Sequence, residues 1–112
     1  MTTVFDNKYE CKLTTRALLG IEKALGDNPI NLIFKDDSYV PSLNVMLTIL
    51  FYSARKYNPT IKSMDDIIEI YDDYLEDGGS LMGLAEFVME LFKDSGMLNT
   101  SDKADKEPEL KN

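Results

Sequence analysis

The stretch Ser63-Met64-Asp65-Asp66-Ile67-Ile68-Glu69-Ile70-Tyr71-Asp72-Asp73-Tyr74-Leu75-Glu76-Asp77-Gly78-Gly79-Ser80-Leu81-Met82, continuing to Gly96, decides the fold class. It holds two amphipathic helical patterns joined by an acidic hinge. Ser63 followed by acids is a capping-box-like start, because carboxylates accept the free N–H groups of a helix's first turn and suit its dipole. From there Met64, Ile67, Ile68, Tyr71, Tyr74 and Leu75 recur at helical spacing and are expected to face inward. Asp65, Asp66, Glu69, Asp72, Asp73 and Glu76 are expected to face out. Gly78-Gly79 breaks this helix after about Asp77, and Ser80 caps the next. The second pattern runs from Leu81 to about Asp94. Leu81, Leu84, Ala85, Val88, Leu91 and Phe92 centre a wide apolar arc, with Met82 and Met89 on one flank and Phe87 on the other. Ser95-Gly96 ends it.

Upstream the same logic gives two further long helices. Thr14 or Thr15 caps one that ends at Gly26, with Ala17, Leu18, Ile21 and Leu25 as its apolar stripe. Gly20 inside it costs about 1 kcal/mol relative to Ala, so close packing against another element is the expected reason for it. Pro41 is expected to start a helix running to about Tyr57. Leu43, Met46, Leu47, Leu50, Ala54 and Tyr57 cover one face, while Val45, Ile49 and Tyr52 make a second apolar patch beside a narrow polar strip of Asn44, Thr48 and Arg55. A helix apolar around so much of its circumference is central to a fold. Asn58-Pro59 ends it. Between these, Asn28-Pro29 opens a short helical piece to Phe34, with a short strand over Ile30–Phe34 as the competing reading. Lys35 to Val40 reads as a loop.

Residues 2–13 read as a β-hairpin. Tyr9, Cys11 and Leu13 alternate with Glu10 and Lys12, and Asp6-Asn7 supplies a tight turn, since both residue types tolerate positive φ. From about Asn99 the chain is polar, charged and without periodicity, the pattern of a disordered tail. The expected architecture is therefore mainly α, about four helices with one short extra helical piece, an N-terminal β-hairpin, one domain over residues 1–98 and a tail over 99–112.

Composition narrows the function. The chain has 112 residues, no His, no Trp and one Cys. A single Cys11 makes no internal disulfide, and its alternation with Tyr9 and Leu13 predicts a buried apolar role rather than a reactive thiol. Zinc sites need clustered Cys and His, and nucleophilic pairs need His, so both readings fail. Gly78-Gly79 lacks the Lys of a phosphate loop. An EF-hand frame with Gly78 at its sixth position puts Leu75 third and Leu84 twelfth, where calcium needs oxygen. Carboxylate pairs one turn apart, Asp65/Glu69, Asp72/Glu76 and Glu86/Glu90, lie on polar faces where solvation is the expected state. No catalytic residue, cofactor or metal is expected, and the chain reads as non-enzymatic. The start of the chain carries no signal-peptide pattern, and the run Val45 to Tyr52 is far short of the about 20 residues that span a membrane.

Charge is uneven. Residues 1–62 carry a net +2 and residues 63–112 a net −10, for a total of −8. An acidic half repels phosphate and anionic lipid, which argues against nucleic acid or membrane as the main partner. Apolar residues outside the main stripes are then the partner-contact candidates. Ile70 sits on the wheel among Asp66, Asp73 and Asp77, Tyr52 near a polar strip, and Phe87 beside Gly83 and Asp94. The flexible side chains of Met82 and Met89 suit a groove that accepts varied sequence.

These residues carry a resemblance. Leu13-Thr14-Thr15-Arg16-Ala17-Leu18, Ile21-Glu22-Lys23-Ala24-Leu25-Gly26 and Asn28-Pro29 resemble the opening of tail assembly chaperones of long-tailed phages and prophages of Gram-positive bacteria. The run Ile70-Tyr71-Asp72-Asp73-Tyr74-Leu75-Glu76-Asp77-Gly78-Gly79-Ser80-Leu81 and the ending Phe92-Lys93-Asp94-Ser95-Gly96 resemble their C-terminal half, so the likeness spans about residues 8–98. It implies a small, acidic, helical, non-enzymatic protein of the bacterial host cytoplasm. Such a protein binds the tape-measure protein and keeps it soluble until tail tube subunits assemble around it. The implied partners are the tape-measure protein, with the tail tube protein and further copies of the chain as additional ones. A small helical DNA-binding or regulatory protein of a prophage is the alternative, although the sequence holds no recognition helix rich in Arg, Lys, Asn or Gln, and Arg55, Lys56 and Lys62 make only a weak basic cluster.

Overall fold

The helix that the sequence makes apolar nearly all round is the axis of the molecule. In the computed structural model, which describes residues 1–33 and 41–97, two strands and five helices follow in order. They are β1 (Thr2–Val4), β2 (Tyr9–Cys11), α1 (Thr15–Leu25), α2 (Pro29–Ile33), α3 (Leu43–Ala54), α4 (Met64–Glu76) and α5 (Leu81–Ser95). The fold is mainly α with an N-terminal antiparallel hairpin, as the sequence predicts. The expectations for Phe34, for the loop from Lys35 to Val40 and for the tail from Asn99 lie outside the described residues.

α3 packs against α1, α2, α4, α5 and β2. Val45, Met46, Leu47, Ile49, Leu50, Phe51 and Ala54 are all buried on it, and so are Thr48 and Ser53. The Ser53 hydroxyl donates to the Ile49 carbonyl at 2.7 Å, so a polar group at the centre of the core is satisfied within its own helix. α3 starts two residues later than the sequence reading and ends at Ala54 rather than at about Tyr57. Ser42, after Pro41, is the cap, its Oγ accepting from the Val45 N–H at 3.1 Å. Leu43, the first residue of the helix and expected on its buried face, is exposed.

The other ends are as chemically explicit. Thr14 caps α1 by accepting from Ala17, and Gly26 closes it in the left-handed region at φ 78°. Pro29–Ile33 is helical, so the strand alternative is set aside, and Asn28 Oδ1 accepts from the Ile30 N–H at 2.7 Å. At the start of α4 the Asp66 carboxylate accepts from the backbone N–H groups of Lys62 at 2.8 Å and Ser63 at 2.9 Å. Those two bonds hold its pKa below the ordinary value.

The hairpin pairs Thr2 with Cys11, Thr3 with Glu10 and Val4 with Tyr9. Its turn takes positive φ at Asp6 and Asn7, as expected, and also at Phe5 (54°, 61° and 65° along Phe5, Asp6 and Asn7). A left-handed Phe is costly by about 1–2 kcal/mol. It is held there because the ring is buried in an aromatic cluster. The outer edge of β2 is fastened to the end of α3. Asn58 accepts from the Glu10 N–H and donates to the Glu10 and Ala54 carbonyls, and the Lys12 N–H donates to the Ser53 carbonyl at 2.9 Å. One side chain thus covers a strand edge and closes a helix end together.

Candidate functional site

The five partner-contact candidates fall in three separate places. Phe87 is half-buried, and its ring meets Phe5 at 5.4 Å and Tyr74 at 5.5 Å between centroids. Phe5 also meets Tyr74 at 5.3 Å and Tyr9 at 6.2 Å. Ile70 is half-buried beside the same cluster, lining a small cavity of about 60 Å³ with Phe5, Tyr9 and Tyr74 under a rim of Lys8, Asp73 and Asp77. The hairpin therefore covers both residues. Tyr52 is half-buried in the last turn of α3, its ring lying where a Cβ on Gly20 would meet it at 2.7 Å. The close packing expected of Gly20 is this contact. Met82 and Met89 lie on the other flank of α5 from Phe87. Met82 is 54 % exposed, while Met89 is half-buried.

On α4 and α5 the faces differ from the sequence reading in three positions. Ile68 and Leu75, expected to face inward, are each 40 % exposed, and Leu81 is exposed as well. α4 is rotated so that Ile67, Ile70, Tyr71 and Tyr74 form its inner stripe. The hairpin supplies the reason. It presents Phe5 and Tyr9 to the Ile70 and Tyr74 side, and nothing among the described residues covers the Ile68 and Leu75 side. Leu81 is the first residue of α5 and projects past its neighbours.

Tyr74 also explains the acidic hinge. Its ring lies over Gly79, and its hydroxyl lies against Gly83, where any Cβ would collide with it. Gly78 takes φ 101°, a value open to glycine. The Gly78-Gly79 pair therefore serves one backbone turn and one aromatic seat. α4 and α5 each pack on α3 and meet each other chiefly through this ring.

Chemically reactive arrangements are sparse among the described residues. Cys11 is fully buried, and burial pushes its pKa up to about 12, so it is a thiol at neutral pH. Among the described residues every buried side-chain N or O has a partner, and no group of three His, Cys, Asp or Glu stands close enough to hold a metal ion. Asp65, Glu69, Asp72, Glu76, Glu86 and Glu90, the members of the carboxylate pairs, are all exposed. No helix among the described residues is long and apolar enough to cross a membrane.

One arrangement was not visible in the sequence. Arg16 of α1 and Arg55 and Lys56 after α3 line a shallow cavity of about 250 Å³ with Thr14, Ala17 and Tyr52. Arg55 stacks its guanidinium over Tyr52 at 4.6 Å and over Phe51 at 5.4 Å, which leaves the edges of the fork directed elsewhere. The ion pairs among the described residues are Met1–Asp94 and Glu90–Lys93, so none of these three cations is paired there. The basic cluster read as Arg55, Lys56 and Lys62 is thus reassembled in the fold as Arg16, Arg55 and Lys56. A signal existed in Arg16 itself. A cation in a helix's first turn opposes the helix dipole and needs another reason to be there.

Among the described residues, fold and surface define a small helical domain clipped by a hairpin, with partly uncovered apolar and charged helix faces. The chain belongs to DUF6096, a family of unknown function, whose profile matches residues 2–111. No curated protein matches it, and neither does any solved structure.

Proposed function

We propose that this protein is a non-enzymatic tail assembly chaperone of the host cytoplasm, which binds the tape-measure protein of a phage or prophage until tube subunits replace it. The reading rests on the sequence resemblance over about residues 8–98 and is supported by one structural observation. The flank of α5 carrying Leu81 (42 % exposed), Met82 (54 %) and Met89 is apolar and only partly covered. An uncovered methionine beside an uncovered leucine is an adaptable contact for the apolar stripe of a partner helix. The acidic remainder of the surface keeps such a complex dissolved. Ile70 and Phe87 contribute less to this contact than the exposed flank, because Phe5 occupies them, and Tyr52 serves Gly20.

The test is co-expression with a tape-measure segment predicted to be helical, followed by copurification. Wild-type protein is expected to hold the segment in solution, and Met82→Glu is expected to weaken capture by roughly tenfold, about 1.4 kcal/mol, with the circular dichroism spectrum unchanged. Capture by Met82→Glu equal to wild type removes this flank from the reading. Failure of the wild type to retain any segment of that protein removes the reading itself.

A further inference from the structure

The concavity between the start of α1 and the end of α3 is lined by side chains that donate and none that carries negative charge. Thr14, Arg16, Ala17, Tyr52, Arg55 and Lys56 surround a space of about 250 Å³, with no Asp, Glu, Asn or Gln among them. Arg16, Arg55 and Lys56 are exposed and have no ion-pair partner among the described residues. The Thr14 hydroxyl accepts from the Ala17 N–H at 3.1 Å, which leaves its own proton to donate. Arg55 is already ordered by its stacking on Tyr52 and Phe51, so little freedom is lost when the edge of its fork meets a ligand. Three like charges facing one space repel each other until an anion joins them.

We propose that this concavity binds the phosphate group of a small phosphate monoester. Its donor set selects that chemistry. A carboxylate has two oxygens and is satisfied by one guanidinium fork. A dianionic phosphate has three strong acceptor oxygens, which Arg16, Arg55 and the Lys56 ammonium share, with the Thr14 hydroxyl as a further donor. Size and shape narrow the ligand. The space holds a phosphate with a short substituent, and Arg55 covers the Tyr52 ring at 4.6 Å, so a nucleobase finds that face taken. Charge limits it further. Every lining residue falls within residues 1–62, which carry a net +2, whereas residues 63–112 carry a net −10. Charges farther than about 10 Å are largely screened at 0.1 M salt. A small phosphate ester therefore responds to the cations around it, while duplex DNA extends well past the concavity and meets a chain of net charge −8. Binding here does not depend on the tape-measure reading.

Two-dimensional amide NMR of the full chain tests it, at a constant ionic strength of about 0.1 M. The probes are inorganic phosphate, glycerol phosphate, a short neutral peptide carrying one phosphoserine, and acetate as the carboxylate control. Inorganic phosphate is expected to saturate with a Kd of about 1 mM, shifting amides around Thr14–Ala17 and Tyr52–Lys56, and acetate to bind at least roughly tenfold more weakly. Arg16→Gln/Arg55→Gln is expected to weaken phosphate binding at least roughly tenfold with the circular dichroism spectrum unchanged. Lys8→Gln, an exposed cation on the hairpin, is expected to leave it as in wild type. Both esters are expected to bind. A tighter glycerol phosphate supports a free metabolite as the source, a tighter phosphopeptide supports a modified side chain, and equal affinities support recognition of the phosphate alone. Acetate binding as tightly as phosphate, shifts that grow without saturation, or wild-type affinity in the double variant overturns the proposal. So does binding of inorganic phosphate that neither ester reproduces, which marks an adventitious ion only, or retardation of duplex DNA that the double variant abolishes.

Discussion

α3 and α4 are of similar length, 12 and 13 residues, and they have opposite fates. Nine residues of α3 are buried, against two of α4, Ile67 and Tyr71. Both helices carry many large apolar residues, so apolar content alone does not separate them. What separates them is the spread of those residues around the axis. α3 has four helices and a strand to receive its side chains, whereas α4 has α3 behind it, the hairpin on one flank and solvent on the other. A helix apolar on all sides is consumed by the core. A helix with two apolar registers keeps one of them free for something else.

Core truncation in α3 breaks this contrast most forcefully if it is mistaken. Leu50→Ala, at a fully buried site, is expected to lower unfolding free energy by about 2–5 kcal/mol in urea titration. Ile68→Ala on α4 is expected to cost well under half as much. Equal losses would mean that α4 is as much a part of the core as α3.

The seam between α1 and α3 gives the next largest effect. Gly20→Ala places a methyl against the Tyr52 ring and is expected to destabilise by about 1–3 kcal/mol. In a Tyr52→Ala background the same change is expected to stabilise by about 1 kcal/mol, because only the helix preference remains. A double-mutant cycle with no coupling would show that the ring does not rest on Gly20.

Acid titration sharpens the account of how α4 begins. The Lys62 and Ser63 N–H groups lower the Asp66 pKa, so this carboxylate contributes stability that is complete above its unfolded value of 3.8. That contribution is lost as pH falls through the lowered folded value. Asp66→Asn is expected to lower the melting temperature at pH 7 and to narrow the gap from wild type progressively below pH 4, in melts followed by circular dichroism. A gap that widens in acid contradicts the capping role.

The smallest effect is expected at Leu75. Leu75→Lys replaces an exposed side chain and is expected to change stability by no more than about 0.5 kcal/mol in the same urea assay. A loss of several kcal/mol would return Leu75 to the inner face where its periodicity first placed it.

Much of this molecule could be read from particular residues without coordinates. Thr14, Gly26, Ser80 and Gly96 mark helix ends because capping is local chemistry, and the Asp6-Asn7 turn follows from which residues accept positive φ. The Gly20 contact was foreseeable as a contact, although its partner was not. The basic concavity was foreseeable only in fragments, since Arg16 and Arg55 stand 39 positions apart in the sequence.

Local periodicity and end chemistry thus determined the mainly α class, the hairpin, the caps and the centrality of α3, because each depends on residues within a turn or two of one another. The tertiary structure alone decided which of two apolar stripes α4 turns inward. Ile67, Ile68, Tyr71 and Leu75 satisfy a helical period, and so do Ile67, Ile70, Tyr71 and Tyr74. The choice between them is made by a phenylalanine from the far end of the chain. Phe5, held in a left-handed turn, packs against Tyr74 and Phe87 and closes the Ile70 side, so Ile68 and Leu75 are left in water. A helix's own sequence offers faces. The free energy of burying one of them belongs to whatever element arrives to cover it.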